Sequence, residues 1–258
     1  MPTPSAVQPY RWLADYYDRL FTGYRDFIRS AHRAIVEPIL PQVLVACDLA
    51  CGTGTTGLEL AARGIRVYGV DLSPRMCRAA RRKARERKKS LRVIQADMRD
   101  FRLPERADLI LCEYDAINHV PRHSDLRRVT SSVARALHPG GWFFFDVNNL
   151  GAFDKYWRGV VWVEKPGIVL AMRNGHDLEQ RKAWCDCEWF VREGSLWRRH
   201  IERVEEVCWT DKEIRHALTA AGFAQIKMWD AAQFRTGDFL DAEGCRSFYL
   251  ARKRSECR

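Results

Sequence analysis

No stretch of this sequence approaches the roughly 20 uninterrupted apolar residues of a membrane span, which excludes a helical transmembrane protein. The opening MPTPSAVQPYRW lacks a basic segment followed by an apolar run, so no signal peptide is expected. Internal repeats and low-complexity tracts are absent too. With 47% hydrophobic and 29% charged residues the balance is globular, not disordered or collagen-like. The 258 residues suit one domain, or one domain carrying an insertion. Nine cysteines in a chain with no export signal read as reduced thiols of a cytoplasmic protein, not as a disulfide framework.

Basic charge, by contrast, is abundant and concentrated. The net charge is +10, and between Arg75 and Arg106 thirteen Lys/Arg stand against Glu86, Asp97, Asp100 and Glu105. The segment SPRMCRAARRKARERKKS has helical spacing, with Met76, Ala79, Ala80 and Ala84 as a thin apolar stripe. It reads as a solvated helix face. A nucleic-acid partner would call for a basic face built from several elements, so none is expected. An RNA substrate held by residues 75–106 remains the alternative reading.

Helical patterns open the chain at 8–21 (Trp12, Leu13, Tyr16, Tyr17, Leu20, Phe21) and 27–38 (Phe27, Ile28, Ala31, Ile35). Strands and helices then alternate. The apolar run at 43–49 reads as a strand buried on both faces, followed by a helix from Thr55 to Arg63 that ends at Gly64. A strand at 66–70 leads to the basic helix, which starts behind Ser73 and Pro74. Strands at 91–94 and 108–113, a helix at 124–137 and a strand at 142–147 complete the series, which calls for a parallel sheet. From residue 157 to 209 the texture changes: six of the nine tryptophans fall there. Runs at 159–164, 168–173, 182–192 and 196–209 suggest an antiparallel meander, with turns at 165–167, Asn174-Gly175 and 193–195. A helix at 211–221 and strands at 223–229 and 246–252 close the chain.

The first strand runs straight into Cys51-Gly52-Thr53-Gly54-Thr55-Thr56-Gly57, a G-x-G-x-x-G in the strand–turn–helix context it requires. Glycines let a cofactor approach the backbone and the helix N-terminus. Nicotinamide, flavin and S-adenosylmethionine sites share that loop, and the acids around it separate them. Asp48 lies four residues before Gly52, where it would repel a pyrophosphate but suit the ammonium and sulfonium of S-adenosylmethionine. Asp71 follows the second strand, placed to accept from ribose hydroxyls. Asp97 follows the third, placed to accept from an adenine amino group, with Met98 beside the ring.

The runs Asp48-Leu49-Ala50-Cys51-Gly52-Thr53-Gly54, Val70-Asp71-Leu72-Ser73, Gln95-Ala96-Asp97-Met98 and Pro139-Gly140-Gly141 resemble, in order, the motifs of class I S-adenosylmethionine-dependent methyltransferases. The resemblance covers about residues 10–150 and 211–252. It implies a Rossmann-like, doubly wound seven-stranded α/β sheet whose last strand is antiparallel, here with a late antiparallel β-meander insertion. It also implies S-adenosyl-L-methionine as cofactor, with Asp48 and Gly52 near its methionine part, Asp71 on the ribose, and Asp97 with Met98 on adenine. Tyr17, Ala50, Gly54, Leu72 and Cys112 complete the candidate cofactor-binding set, Ala50 standing where the family carries its first glycine.

Methyl transfer is an in-line displacement, so the protein must align a nucleophile and deal with its proton. The segment after the fourth strand, Cys112-Glu113-Tyr114-Asp115-Ala116-Ile117-Asn118-His119, contains neither an N/D-P-P-Y/F run nor a Pro-Cys nucleophile. Those would have indicated nucleic-acid amino or cytosine-C5 methylation. Its D-x-x-N-H pattern is similar to small-molecule enzymes of the sugar-amine and glycine N-methyltransferase type. That likeness makes His119 the candidate catalytic residue, able to be neutral at cellular pH, although a histidine here could equally cap the following helix. His119 and His123 stand four apart without a third ligand, so no metal is expected. Ala14 to Phe21 resembles the tyrosine-bearing lid helix of such enzymes, with Tyr17 the matching residue and Phe21 where sugar-amine enzymes carry a further tyrosine.

The expected organisation is a helical lid at 1–40, the cofactor-binding core at 41–150, a β insertion at 151–209 serving as substrate roof or dimer contact, and completion of the core at 210–258. The expected activity is methyl transfer to N or O of a small-molecule acceptor by a monomer or homodimer. A non-catalytic S-adenosylmethionine-binding protein is a further alternative.

Overall fold

The computed structural model describes residues 14, 16–20, 24–234 and 243–255. The helix expected over 8–21 is described only as Tyr17–Leu20 (α1), so Trp12, Leu13 and Phe21 lie outside the described residues. Tyr24–Ile35 (α2) follows. Then come Val45–Leu49 (β1), Thr55–Ala62 (α3), Arg66–Asp71 (β2), Pro74–Glu86 (α4), Leu91–Gln95 (β3) and Ala107–Cys112 (β4). His123–Ala136 (α5), Leu137–Asn148 (β5) and Leu150–Tyr156 (α6) come next. The meander is Val160–Lys165 (β6), Ile168–Asp177 (β7), Lys182–Glu193 (β8) and Leu196–Val207 (β9). Asp211–Ala220 (α7), Phe223–Asp230 (β10) and Arg246–Lys253 (β11) end the fold.

Local chemistry sets these boundaries. The Ser73 hydroxyl accepts from the Met76 N–H at 3.4 Å, with Pro74 in the first turn of α4. At α7, Thr210 and Glu213 form a reciprocal capping box. Every residue of β1 is buried, as a central parallel strand covered on both faces must be.

The main sheet has the order β3-β2-β1-β4-β5-β11-β10, and β11 alone runs against its neighbours, between β5 and β10. On one face Val129 and Val133 of α5 and Ile214 and Leu218 of α7 pack with Ile110, Phe143 and Phe145. On the other, Ile28 of α2, Leu58 of α3 and Ala80 of α4 pack with Leu109, Leu111 and Phe144. The chain leaves β1 in one direction to β2 and β3, and in the other to β4 and β5. Open α/β sheets bind ligands beyond the carboxyl ends of the strands at such a reversal, here between β1 and β4.

Strands β6 to β9 form a separate four-stranded antiparallel sheet. Its inner face (Ile168, Leu170, Cys185, Cys187, Trp189, Val204) packs against Tyr16, Tyr17, Leu20 and Trp157. The sulfurs of Cys185 and Cys187 lie 3.4 Å apart on this face. Asn118 ties the two sheets together: its Nδ2 donates to the carbonyls of Asn148 and Val207, and its Oδ1 accepts from the Asn148 N–H, all at 2.9 Å.

Three elements depart from the sequence expectation. Asn174-Gly175 is not a turn but the interior of β7, opposite Cys185 and Trp184. Glycine is required there for a different reason, since a β-carbon would meet the Trp184 ring at 2.6 Å. The reversal comes instead at residues 178–181. Pro139-Gly140-Gly141 lies within β5, not before it, with a register shift against β4 after Ala107. Helix α6 has no counterpart in the sequence expectation; its seven residues bury only Ala152 and Phe153 and give no helical stripe to detect.

Candidate active site

A cleft of about 200 Å³ opens at the β1/β4 reversal. The loop between β1 and α3 forms its floor. Gly54 holds φ +76°, and a β-carbon there would stand 2.8 Å from Leu91 Cδ2 and 3.0 Å from Ala80 Cβ. This glycine therefore serves the packing of the loop on α4 and β3, and it does not line the cleft.

Each strand end contributes an acid held by backbone. The Gly57 N–H donates to Asp48 Oδ2 at 2.8 Å, and burial pushes this carboxyl up to about 7. Asp71 takes two N–H bonds of 2.8 Å, from Gly52 on Oδ2 and from Ser73 on Oδ1. Burial raises it, and those two bonds pull it back. Asp97 is gripped by Arg99, whose Nη2 donates to Oδ2 at 2.6 Å; that contact holds it below its ordinary range. Ala50, Leu72 and Met98 also line the cleft.

Helix α1 covers the opening. Tyr17 and Asp18 line it, and Asp18 is latched to the loop by the Thr53 hydroxyl at 2.7 Å and by Lys83 of α4 at 2.5 Å. The Tyr17 phenol is driven upward by burial and then by the nearby Asp115 charge.

The wall after β4 is unusual in its backbone. Tyr114 (φ +63°) and Asp115 (φ +52°) are consecutive left-handed residues with β-carbons, a conformation that costs each about 1–2 kcal/mol and persists only under constraint. The constraint is Asp146 of β5, fully buried, whose carboxylate accepts the N–H groups of Tyr114 at 2.7 Å and Asp115 at 3.0 Å. Arg246 of β11 bridges Asp146 and Asp115, the latter at 2.7 Å. Glu206 of β9 is raised well above a normal carboxyl by burial and then by the neighbouring Asp115 charge. Arg246 holds Asp115 ionised against the opposing effect of burial.

This turn leads into the 3-10 helix Ala116–His119, which presents His119 to the cleft. Its Nδ1 lies 3.0 Å from the Glu205 carbonyl. A carbonyl only accepts, so Nδ1 carries the proton of this bond. Asp115, His119 and Glu206 each offer a ligand atom within 4.8 Å of the others. Arg246 already engages Asp115, and Asn148 donates to Glu206 at 2.9 Å. His123 pairs instead with Glu213, at 3.4 Å.

Of the sequence candidates, Tyr17, Asp48, Ala50, Gly52, Asp71, Leu72, Asp97, Met98 and His119 meet in this one cleft. Gly54 and Cys112 do not; Cys112 is fully buried in the core under α5. Sequence reasoning missed Asp18, Thr56, Glu113 and Tyr114, which share the cleft, and the Asp146–Arg246 clamp beneath it.

S-adenosylmethionine fits these residues. The acids at the ends of β1 and β4, Asp48 and Glu113, suit a ligand end that is positive, and one carboxyl oxygen of Glu113 is buried without a hydrogen-bond partner among the described residues. Residues 46–141 match the methyltransferase domain family. The chain is 30% identical over 222 residues to dTDP-3-amino-3,6-dideoxy-alpha-D-glucopyranose N,N-dimethyltransferase of Streptomyces fradiae, covering 82% of this chain and 84% of that one. Two solved structures share the fold. One is an S-adenosylmethionine-dependent methyltransferase from Clostridium acetobutylicum, with TM-score 0.78, 23% identity, and coverage of 95% of this chain and 99% of that one. The other is a sugar N-methyltransferase from Streptoalloteichus, with TM-score 0.77, 23% identity, and coverage of 99% and 98%. The chain belongs to the class I S-adenosylmethionine-dependent methyltransferases.

Proposed function

We propose that the protein methylates an amine nitrogen of a small, sugar-like acceptor, with His119 accepting the proton the amine must lose. The observation that carries this reading is the His119 ring at the cleft, held through Nδ1 by the Glu205 carbonyl. The Streptomyces fradiae relative, an aminosugar N,N-dimethyltransferase by name, points to the same class of acceptor.

S-adenosylmethionine, when bound, supplies an electrophilic methyl group on a sulfonium. An ammonium has no lone pair to attack it, so removal of one proton precedes or accompanies transfer. His119 is assigned that proton at Nε2. Asp71 is assigned the ribose, Asp97 with Met98 the adenine, and Asp48 with Gly52 the amino-acid tail. Tyr17, Ala50 and Leu72 complete the walls. Gly54 acts by shaping the loop, and Cys112 by filling the core. Tyr17 and the inner face of β9 are assigned to enclosing the acceptor, which excludes water from the reaction.

The test is incubation with S-adenosylmethionine and a panel of amino sugars, their nucleotide diphosphate forms and phenols, followed by mass spectrometry. A gain of one or two methyl groups on amino sugars is the expected result; methylation of phenols alone would overturn the amine reading. His119→Ala should lower kcat about 10²–10⁴-fold while leaving S-adenosylhomocysteine affinity unchanged. Full activity in that variant would remove His119 from the chemistry.

A further inference from the structure

Glu113 is an acid that neither the glycine loop nor the three strand-end aspartates account for. It follows β4 directly, lines the cleft at the β1/β4 reversal, and is only 5% exposed. Glu113 and Asp48 take hydrogen bonds from consecutive residues of α3: the Thr56 hydroxyl donates to Glu113 Oε2 at 2.8 Å, and the Gly57 N–H to Asp48. Glu113 Oε1 is buried with no partner among the described residues. A buried oxygen left unpaired is costly, and a second carboxyl close to Asp48 adds repulsion. Nothing in the packing of the loop calls for an acid here, because Thr56 would bond equally well to an amide.

The geometry points to Glu113 as a second anchor, with Asp48, for the α-ammonium of the cofactor's amino-acid tail. This rests on the cleft's assignment to S-adenosylmethionine with its tail at the β1 and β4 ends. An ammonium has three donors. Glu113 Oε1 and Asp48 would each take one, which satisfies the orphaned oxygen and cancels the repulsion between the two acids. The groups acting on Glu113 are Asp48 of β1, Glu59 of α3 and Asp146 of β5, all acidic, opposed by the Thr56 hydroxyl. With burial the largest influence, they push Glu113 up to about 8, so at neutral pH the ligand-free site holds a neutral acid. Arrival of the ammonium favours the carboxylate, and the proton passes to the buffer.

The experiment is calorimetric titration of the full chain near pH 7 in two buffers of different ionisation enthalpy. The probes are S-adenosylhomocysteine, S-adenosylmethionine and 5′-methylthioadenosine, the last keeping the adenosyl group without the tail. The wild type should release protons on binding the first two and none on binding the third. Glu113→Gln, whose amide can still accept from Thr56, should bind methylthioadenosine as the wild type does. It should bind S-adenosylhomocysteine roughly tenfold or more weakly, with reduced proton release. Unchanged affinity and proton release in the variant would overturn the assignment. Equal weakening toward all three ligands, with a lower melting temperature, would make Glu113 a structural residue of the loop. Weakening toward S-adenosylmethionine alone would assign it to the sulfonium. A wild type that binds none of the three would overturn the reading of the cleft itself.

Discussion

Ala50 holds φ +58° at the position where the methyltransferase loop carries its first glycine. A β-carbon in that left-handed region costs about 1–2 kcal/mol, partly offset in the unfolded chain by the greater freedom of glycine. Ala50→Gly should therefore stabilise the protein by about 0.5–1 kcal/mol, read as a shift in the urea midpoint at unchanged slope. A fall in stability would mean that the alanine methyl makes packing contacts worth more than the strain. Glu113 makes a pH-dependent prediction at the same scale. Its folded-state pKa lies above its unfolded value, so the stability it permits is complete below about pH 4.5 and declines as the pH rises toward about 8. Ligand-free Glu113→Gln should lose less stability than the wild type between about pH 5 and pH 8, by up to about 4 kcal/mol. Identical pH slopes in denaturant titrations would show that Glu113 is ionised in the empty site. Such residues divide cleanly in how far the sequence reveals them. Asp48, Asp71 and Asp97 are legible because each sits a fixed distance from a strand end or glycine next to it in the chain. Glu113, Asp146 and Glu206 are not, because what makes them unusual is supplied from afar. Arg246 stands 100 residues from Asp146, and Glu206 reaches Asp115 from another sheet.

At the scale of elements, the cleft wall depends on how β9 and the 3-10 helix Ala116–His119 are joined. Asn118 makes three hydrogen bonds here, two to Asn148 that are buried and one to the Val207 carbonyl that is partly so. The same strand supplies the carbonyl that fixes His119 and the carboxyl that lies beside Asp115. Asn118→Ala leaves buried backbone groups unpaired and should destabilise the protein by about 2–4 kcal/mol. Its kcat should fall more than its cofactor affinity, because the joint positions His119 and not the loop. Equal losses in both would place the damage in the core instead. The repeated strand–helix units and the meander were readable from periodicity, since alternate residues of β8 and β9 point into a shared core. The joint was not. A 3-10 helix of four residues carries no periodic signal, and the turn assigned to Asn174-Gly175 failed because glycine admits a tryptophan ring as readily as it admits a reversal.

Across the whole molecule, the net charge of +10 has a structural use that composition alone does not reveal. Most of the cationic side chains of α4 face solvent, but Lys83 is largely buried. It joins Asp18 of α1 at 2.5 Å while donating to the hydroxyls of Thr53 and Thr55 at 2.8 and 2.9 Å. The basic helix thereby fastens the segment over the cleft to the loop beneath it, and Tyr17 is carried into place next to Asp18. Holding α1 closed should slow cofactor escape, because the latch must break before the ligand can leave. Lys83→Met keeps much of the aliphatic stem and removes the charge. It should raise the S-adenosylhomocysteine dissociation rate about three- to tenfold, as measured by stopped-flow displacement. The Asp18 side chain is 41% exposed, so its charge is partly screened. Raising the salt to about 0.5 M should therefore bring the wild-type dissociation rate toward that of the variant while leaving the variant itself almost unmoved. If salt accelerates release equally in both proteins, the latch is not electrostatic, and α1 is held by the packing of Tyr16, Tyr17 and Leu20 on the inner face of the meander.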